Sequence, residues 1–303
     1  YDSLSQYTPT FEPGRWQPDP LNPTQEAWGP AWGSVTPFAL ETNTQFMPPP
    51  SPDLTSEEYA DAFDEVLQLG SVDSTERTAD QTQIGLFWAY DREGLGTPMR
   101  LYNNIMREIA DQEGNSMHEN AEMFALASVA MADAGIVAWN AKFEYDLWRP
   151  VTGIRQADED GNGLTMADPD WTPLGAPGGA GTDFTPPFPT YISGHATFGG
   201  AMFAALAEFF GDDNIAFTIG SEELPGVERS FTSLSEAMAE NGRSRVYLGI
   251  HWNYDDTVGQ ETGAQIAQYI SSGLFRASAP EPATAALLAA VAPVVLAARR
   301  RCA

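Results

Sequence analysis

Apolar residues recur along most of this chain at the three- and four-residue intervals that place them on one face of a helix. After Ser56-Glu57-Glu58, the residues Tyr59, Phe63, Val66 and Leu67 keep that spacing, and Ser56 is placed to cap the helix they predict. The stretches Thr78 to Tyr90 and Leu101 to Glu113 read the same way. From Ser116 to Trp148 the pattern is longest, rich in Ala and Met and apolar on most faces, which predicts a central helix surrounded by others. Pro150 disfavours helical geometry at Arg149 and should end it. Further helices are expected at His195 to Phe210, Ser233 to Glu240 and Asn253 to Phe275. Strict alternation is almost absent, so the pattern predicts an all-α fold, a helical bundle. Residues 1–50, rich in Pro, Thr and Asn, read as an extended arm draped over a catalytic domain at 51–276. Within that domain, residues 153–190 form a long loop region, and such loops often carry function.

Charge changes the picture. With 303 residues, 43% of them apolar, the chain buries a substantial core. Its 42 acidic residues outnumber 15 basic ones, and the net charge of -27 excludes nucleic acid and anionic membrane surfaces as partners selected by basic patches. Such a surface repels anions, so an anion can be held only where the scarce cations converge. Cys302 is the only cysteine, which excludes an internal disulfide and a cysteine-based metal site.

The scarce cationic groups gather in three segments. The only lysine, Lys142, lies seven residues before Arg149, so a helix running through both would turn them to one face. In Ser193-Gly194-His195, Ser193 can cap the helix that follows, and Gly194 lets its backbone approach a ligand. The free N–H groups of that helix start would cradle an anion, with His195 beside it as proton donor or acceptor. In Ser244 to Asp255, His251 and Asp255 are four apart, a spacing that brings the carboxylate to the imidazole and fixes its tautomer. Arg245 is off that helical face, but Gly249 permits a loop that turns both inward.

In order, Lys-x6-Arg-Pro, Ser-Gly-His and Ser-Arg-x3-Gly-x-His-x3-Asp resemble the motifs of the vanadium-dependent haloperoxidases. Related to these are the type 2 phosphatidic acid phosphatases and bacterial acid phosphatases. The resemblance covers residues 116–270. Ile192 stands where a proline usually precedes Ser-Gly-His, which removes a backbone restraint and no ligand. The resemblance implies vanadate as cofactor, with His251 its axial ligand and Asp255 supporting that histidine. It implies that Lys142, Arg149, Arg245, Ser193 and the Gly194 N–H hold the oxygens, and that His195 is the acid/base group. Lys142 would also polarise bound peroxide. The implied reaction oxidises bromide, or chloride as well, with hydrogen peroxide to hypohalous acid, which halogenates an organic acceptor. Trp139, three before Lys142, and Phe188, five before Ser193, match halide-site aromatics of the chloroperoxidase type. The alternative within the superfamily is a phosphatase that forms a phosphohistidine at His251.

Other segments carry separate expectations. Pro280-Glu281-Pro282, an apolar run from Ala283 to Ala298 and Arg299-Arg300-Arg301 resemble a PEP-CTERM sorting tail over residues 277–303. That resemblance implies export, with transient membrane contact through the tail. The sequence opens at Tyr1, so any export signal is expected upstream. His118, among Glu119, Asn120 and Glu122, reads as a surface or capping residue. Asp158-Glu159-Asp160-Gly161-Asn162 opens like a calcium loop, but its twelfth position is Pro169 where a bidentate glutamate is needed, which favours a polar turn.

Overall fold

The computed structural model describes residues 7–274 apart from Glu93 and Ala180; the expected sorting tail lies outside the described residues. Eight helices and one small hairpin follow one another: α1 (Glu57–Leu69), α2 (Ala79–Phe87), α3 (Pro98–Glu113), α4 (Met117–Tyr145), α5 (Pro150–Arg155), α6 (Gly194–Phe210), β1 (Phe217–Gly220), β2 (Glu228–Phe231), α7 (Leu234–Tyr247) and α8 (Asn253–Leu274). The fold is therefore a helical bundle, as the periodicity predicted. β1 and β2 pair antiparallel, Phe217 opposite Phe231, in strands too short for alternation to announce them.

Local chemistry starts these helices where expected. Ser56 accepts the Tyr59 N–H, and Thr78 with Gln81 and Ser116 with Glu119 form capping boxes. Gly114 and Gly211 end α3 and α6 in left-handed conformation. α6 lies at the centre, packed along α8 and α4, with α7 on a further side. Glycines allow that closeness: a Cβ on Gly200 would meet the Gln260 carbonyl oxygen at 2.4 Å.

The end of α4 departs from the sequence expectation, with consequences for the site. The apolar pattern continues to Trp148, yet the helix stops at Tyr145 and Asp146 turns left-handed with φ 53°. Tertiary pairing overrides the pattern here. The Trp16 N–H donates to the Asp146 carbonyl and the Trp148 N–H to that of Gly14, so residues 146–148 leave the helix to pair with the arm. The Tyr7 hydroxyl donates to the Asp146 carboxylate. Arg149 is then extended, φ -77° and ψ 157°, as the residue before a proline should be, and stands at the N-terminal boundary of α5 without a side-chain capping bond.

Between residues 7 and 50 the one helical element is a 3-10 turn at Trp32–Ser34. The segment is nonetheless fastened. Asp133 of α4, fully buried, accepts the N–H groups of Phe38, Ala39 and Leu40 at 2.7, 2.8 and 2.9 Å. Asp160 and Asn162 are engaged in a turn, where Asp160 accepts the Asn162 N–H and the Thr165 hydroxyl. His118 is exposed.

Candidate active site

Three connections between helices converge on one point. The end of α4 and the residues after it bring Lys142 and Arg149, the loop before α6 brings Thr190 to His195, and the α7–α8 junction brings Arg245, His251 and Asp255. Lys142, Arg149, Ser193, His195, Arg245, His251 and Asp255 are all buried, none more than 7% exposed. Lys142 and Arg149 meet here, but not by sharing a helical face as their spacing had suggested, since α4 ends between them.

His251 is oriented by carboxylate and hydroxyl. Its Nδ1 lies 2.8 Å from Asp255 Oδ2 and 3.0 Å from Thr190 Oγ1, and Thr190 also donates to the Asp255 carboxylate. With Nδ1 as the donor, Nε2 keeps its lone pair, which accepts from Arg149 Nη1 at 2.9 Å. Burial, then the nearby Arg149 charge, push the imidazole pKa well below its usual value, so the Asp255 contact is a hydrogen bond to a neutral ring. Burial raises the Asp255 carboxyl to about 6 against the opposing Thr190 bond. His195, in the first turn of α6, points Nε2 at the Ala89 carbonyl at 2.7 Å, which leaves Nδ1 as the basic nitrogen. Burial, with Arg245 beside it, lowers the His195 pKa to about 4.

Lys142 takes a place that its scarcity alone did not reveal. Its ammonium donates to the carbonyls of Pro189, Thr190 and Ile192 at 3.0, 2.9 and 2.6 Å, which uses all three of its N–H bonds. It thus clamps the backbone that carries Ser193-Gly194-His195, and in this structure it does not reach the cavity as the anion ligand expected from the sequence. Burial, then the Arg149 charge, push its pKa well below the usual lysine value. Ser193 accepts the Ala196 N–H at 3.4 Å and so caps α6.

The anion-seeking groups are the arginines. Arg149 donates through Nε to the Phe188 carbonyl at 2.8 Å and through Nη1 to that of Ile250 at 2.7 Å, and burial draws its pKa down to about 9. Arg245 Nη2 pairs with Asp91 at 2.6 Å. Arg149 Nη2 and Arg245 Nε and Nη1 are buried without an acceptor among the described residues. Each such donor costs about 1–3 kcal/mol or more when left unsatisfied. A tetrahedral oxyanion would satisfy all three, aided by the Gly194 N–H in the unpaired first turn of α6. The donor set therefore fits vanadate, and phosphate equally in shape.

Beside these groups lies a cavity of about 320 Å³. His195, His251, Arg245, Asp91 and Gly194 line it, with aromatic rings, Met99, Thr97 and prolines making up most of the remaining wall. Trp139 and Phe188 are packed together, centroids 5.1 Å apart, with the Lys142 ammonium 5.0 Å from the Phe188 centroid. Four cavity or site residues carried no legible signal. Asp91 is 154 positions from its partner Arg245, and Trp28 and Trp32 come from the arm. Thr190 stood within the recognised segment, but nothing in a single threonine marks it as the bridge from His251 to Asp255.

A helical bundle closing a buried, two-histidine, two-arginine pocket is the class of site defined by this geometry. The chain belongs to the family of the VCPO second helical-bundle domain, whose family model matches residues 122–277. It is 37% identical over 292 residues to the vanadium chloroperoxidase of Curvularia inaequalis, a match covering 78% of this chain and 47% of that protein. The chain thus spans about half the length of that relative. A bacterial vanadium-dependent iodoperoxidase superposes with a TM-score of 0.74 and 31% identity, over 90% of this chain and 63% of the other. A bacterial vanadium-dependent chloroperoxidase shares the fold, with a TM-score of 0.66 and 17% identity over 88% of this chain and 64% of its own.

Proposed function

We propose that this protein is a vanadate-dependent haloperoxidase, oxidising halide with hydrogen peroxide to hypohalous acid. The observation that carries the reading is the group of three acceptor-less guanidinium nitrogens beside the lone pair of His251. The similarity to the Curvularia chloroperoxidase and the bacterial iodoperoxidase turns the choice of oxyanion from phosphate to vanadate. Arg149, Arg245 and the Gly194 N–H would hold the oxygens, and His251 Nε2 would be the ligand to vanadium. Bound vanadate would supply Lewis acidity toward peroxide, without a change of oxidation state.

The protein's own groups do the rest. Asp255 and Thr190 hold the His251 tautomer that keeps Nε2 unprotonated, so that its lone pair would pass from Arg149 Nη1 to vanadium on binding. His195 Nδ1 takes and returns a proton in the cavity that this histidine lines, which requires the neutral ring that burial maintains. Lys142 places the Ser193–His195 backbone and adds a positive charge behind the cradle. Trp139 and Phe188 offer a weakly hydrated halide an apolar wall. Hydrogen peroxide, halide and an organic acceptor are the substrates of this reading. We also read the protein as exported, from the tail at residues 277–303, with cell fractionation as the check.

The test is vanadate addition to metal-free protein followed by a peroxide-dependent bromination assay on a phenolic dye. Activity that appears with vanadate and is lost in His251→Ala, together with vanadate retention, supports the reading. Hydrolysis of a phosphate ester that vanadate inhibits, with no bromination, overturns it in favour of a phosphatase.

A further inference from the structure

We propose that Tyr102 and Asn241 are positioning residues for His195: together they hold its main-chain carbonyl and so fix the first turn of α6, from which its imidazole works as acid and base. The effect on turnover rests on the haloperoxidase reading, whereas the positioning does not. The Asn241 amide donates through Nδ2 to the His195 carbonyl oxygen at 2.9 Å. The Tyr102 hydroxyl lies 3.1 Å from the same oxygen and 3.0 Å from Asn241 Oδ1, so its one proton is shared between two acceptors. Tyr102 comes from α3, Asn241 from α7 and His195 from α6, and both supporting side chains are shielded from solvent.

Stability alone does not call for these two residues. Within α6 the His195 carbonyl already faces the N–H of Gly199, four residues on. Phe in place of Tyr102 and Leu in place of Asn241 would remove the donors together with the acceptor Oδ1, and such a paired exchange for apolar groups of similar shape is nearly neutral. Space has nevertheless been kept for the amide. A Cβ on Gly199 would lie 2.2 Å from Asn241 Nδ2, so a residue without a side chain at 199 is what lets Asn241 reach the carbonyl past the helix surface.

The first turn of a helix is where such bracing counts. Its N–H groups have no acceptor within the helix, and helix ends open most readily. The cap on α6 is a long bond, 3.4 Å from the Ala196 N–H to Ser193 Oγ. That same turn presents the Gly194 N–H and His195. The His195 ring is held separately, by Nε2–H donating to the Ala89 carbonyl at 2.7 Å. With main chain and ring both fixed, Nδ1 keeps one place beside Arg245 and His251, and a misplacement of about 1 Å there can cost roughly a hundredfold in rate. Neither Tyr102 nor Asn241 lines the cavity, so each acts through His195 and not on a bound molecule.

The experiment compares wild type with the double variant Tyr102→Phe, Asn241→Leu. In isotope-labelled, vanadate-free protein followed by NMR, solvent exchange of the His195 Nε2–H should quicken about tenfold or more, while the His251 Nδ1–H, held by Asp255, exchanges as before. With vanadate, peroxide and bromide, kcat should fall about tenfold or more, and less than about twofold when the same pair is replaced in His195→Ala. Unchanged exchange at His195, equal acceleration at both histidines, or an equal loss of kcat in both backgrounds overturns the proposal. Where the double variant does not fold, Tyr102→Phe alone is read against the same controls, with about threefold expected. If wild type oxidises no bromide, the haloperoxidase reading fails, and exchange at His195 in the vanadate-free protein still decides the positioning.

Discussion

Replacing Lys142 by Met separates two roles for the only lysine, because they predict opposite signs in vanadate-free protein. Were Lys142 only a ligand for the anion, it would be a buried cation beside Arg149 with nothing to compensate it. Removing it would then stabilise the empty protein, since burying an unpaired charge costs several kcal/mol. In the structure its three N–H groups instead satisfy the carbonyls of Pro189, Thr190 and Ile192. Hydrogen bonds from charged donors contribute about 1.5–3 kcal/mol each, and three give roughly 5–9 kcal/mol. Against this stand the desolvation of the ammonium and its repulsion by Arg149, the two leading causes of its lowered pKa. A net loss of about 2–4 kcal/mol remains for Lys142→Met. For a domain of this size that corresponds to roughly 5–10 °C in Tm. Urea and thermal unfolding of vanadate-free wild type and variant measure it. An unchanged or raised Tm in the variant would refute the clamp and return Lys142 to a purely ligand role.

Two further outcomes follow from other buried groups. In anion-free protein, burial holds the His195 pKa near 4. A depressed histidine pKa contributes stability present above the unfolded value of about 6.5 and lost as pH falls toward 4, roughly 3 kcal/mol in full. NMR should therefore show a neutral His195 at pH 5.5, and His195→Gln should flatten the decline in stability between pH 6.5 and 4; a His195 titrating near 6.5 would contradict the burial argument. Asp133→Asn keeps one acceptor and turns an amide N–H against the N–H groups of Phe38, Ala39 and Leu40. It should cost about 2–4 kcal/mol and expose the arm to limited proteolysis, and unchanged cleavage would show that Asp133 is not its anchor.

The helices and the site differ in how they were legible. α1, α2, α3, α6 and α8 could be placed from periodicity and caps, because a helix is set largely by residues within a turn of one another, whereas α7 runs seven residues past its expected end at Glu240, to Tyr247, and carries Arg245. The cradle was legible as three segments because each carries its own reactive residues, and Gly249, φ 72°, does allow the bend between Arg245 and His251. The end of α4 was not legible, since what stops it is pairing with residues 14–16, far along the chain.

By itself, the sequence determined a helical bundle, the scarcity of cations and the residues able to hold an oxyanion. Tertiary structure alone decided what those residues touch. It set Lys142 on three carbonyls, Asp91 against Arg245, and Trp28 and Trp32 in the wall of the cavity that His195 and His251 line. The physical reason is range: capping and periodicity act within a few residues, whereas a buried donor bonds whichever acceptor the packing brings within about 3 Å, however distant in sequence.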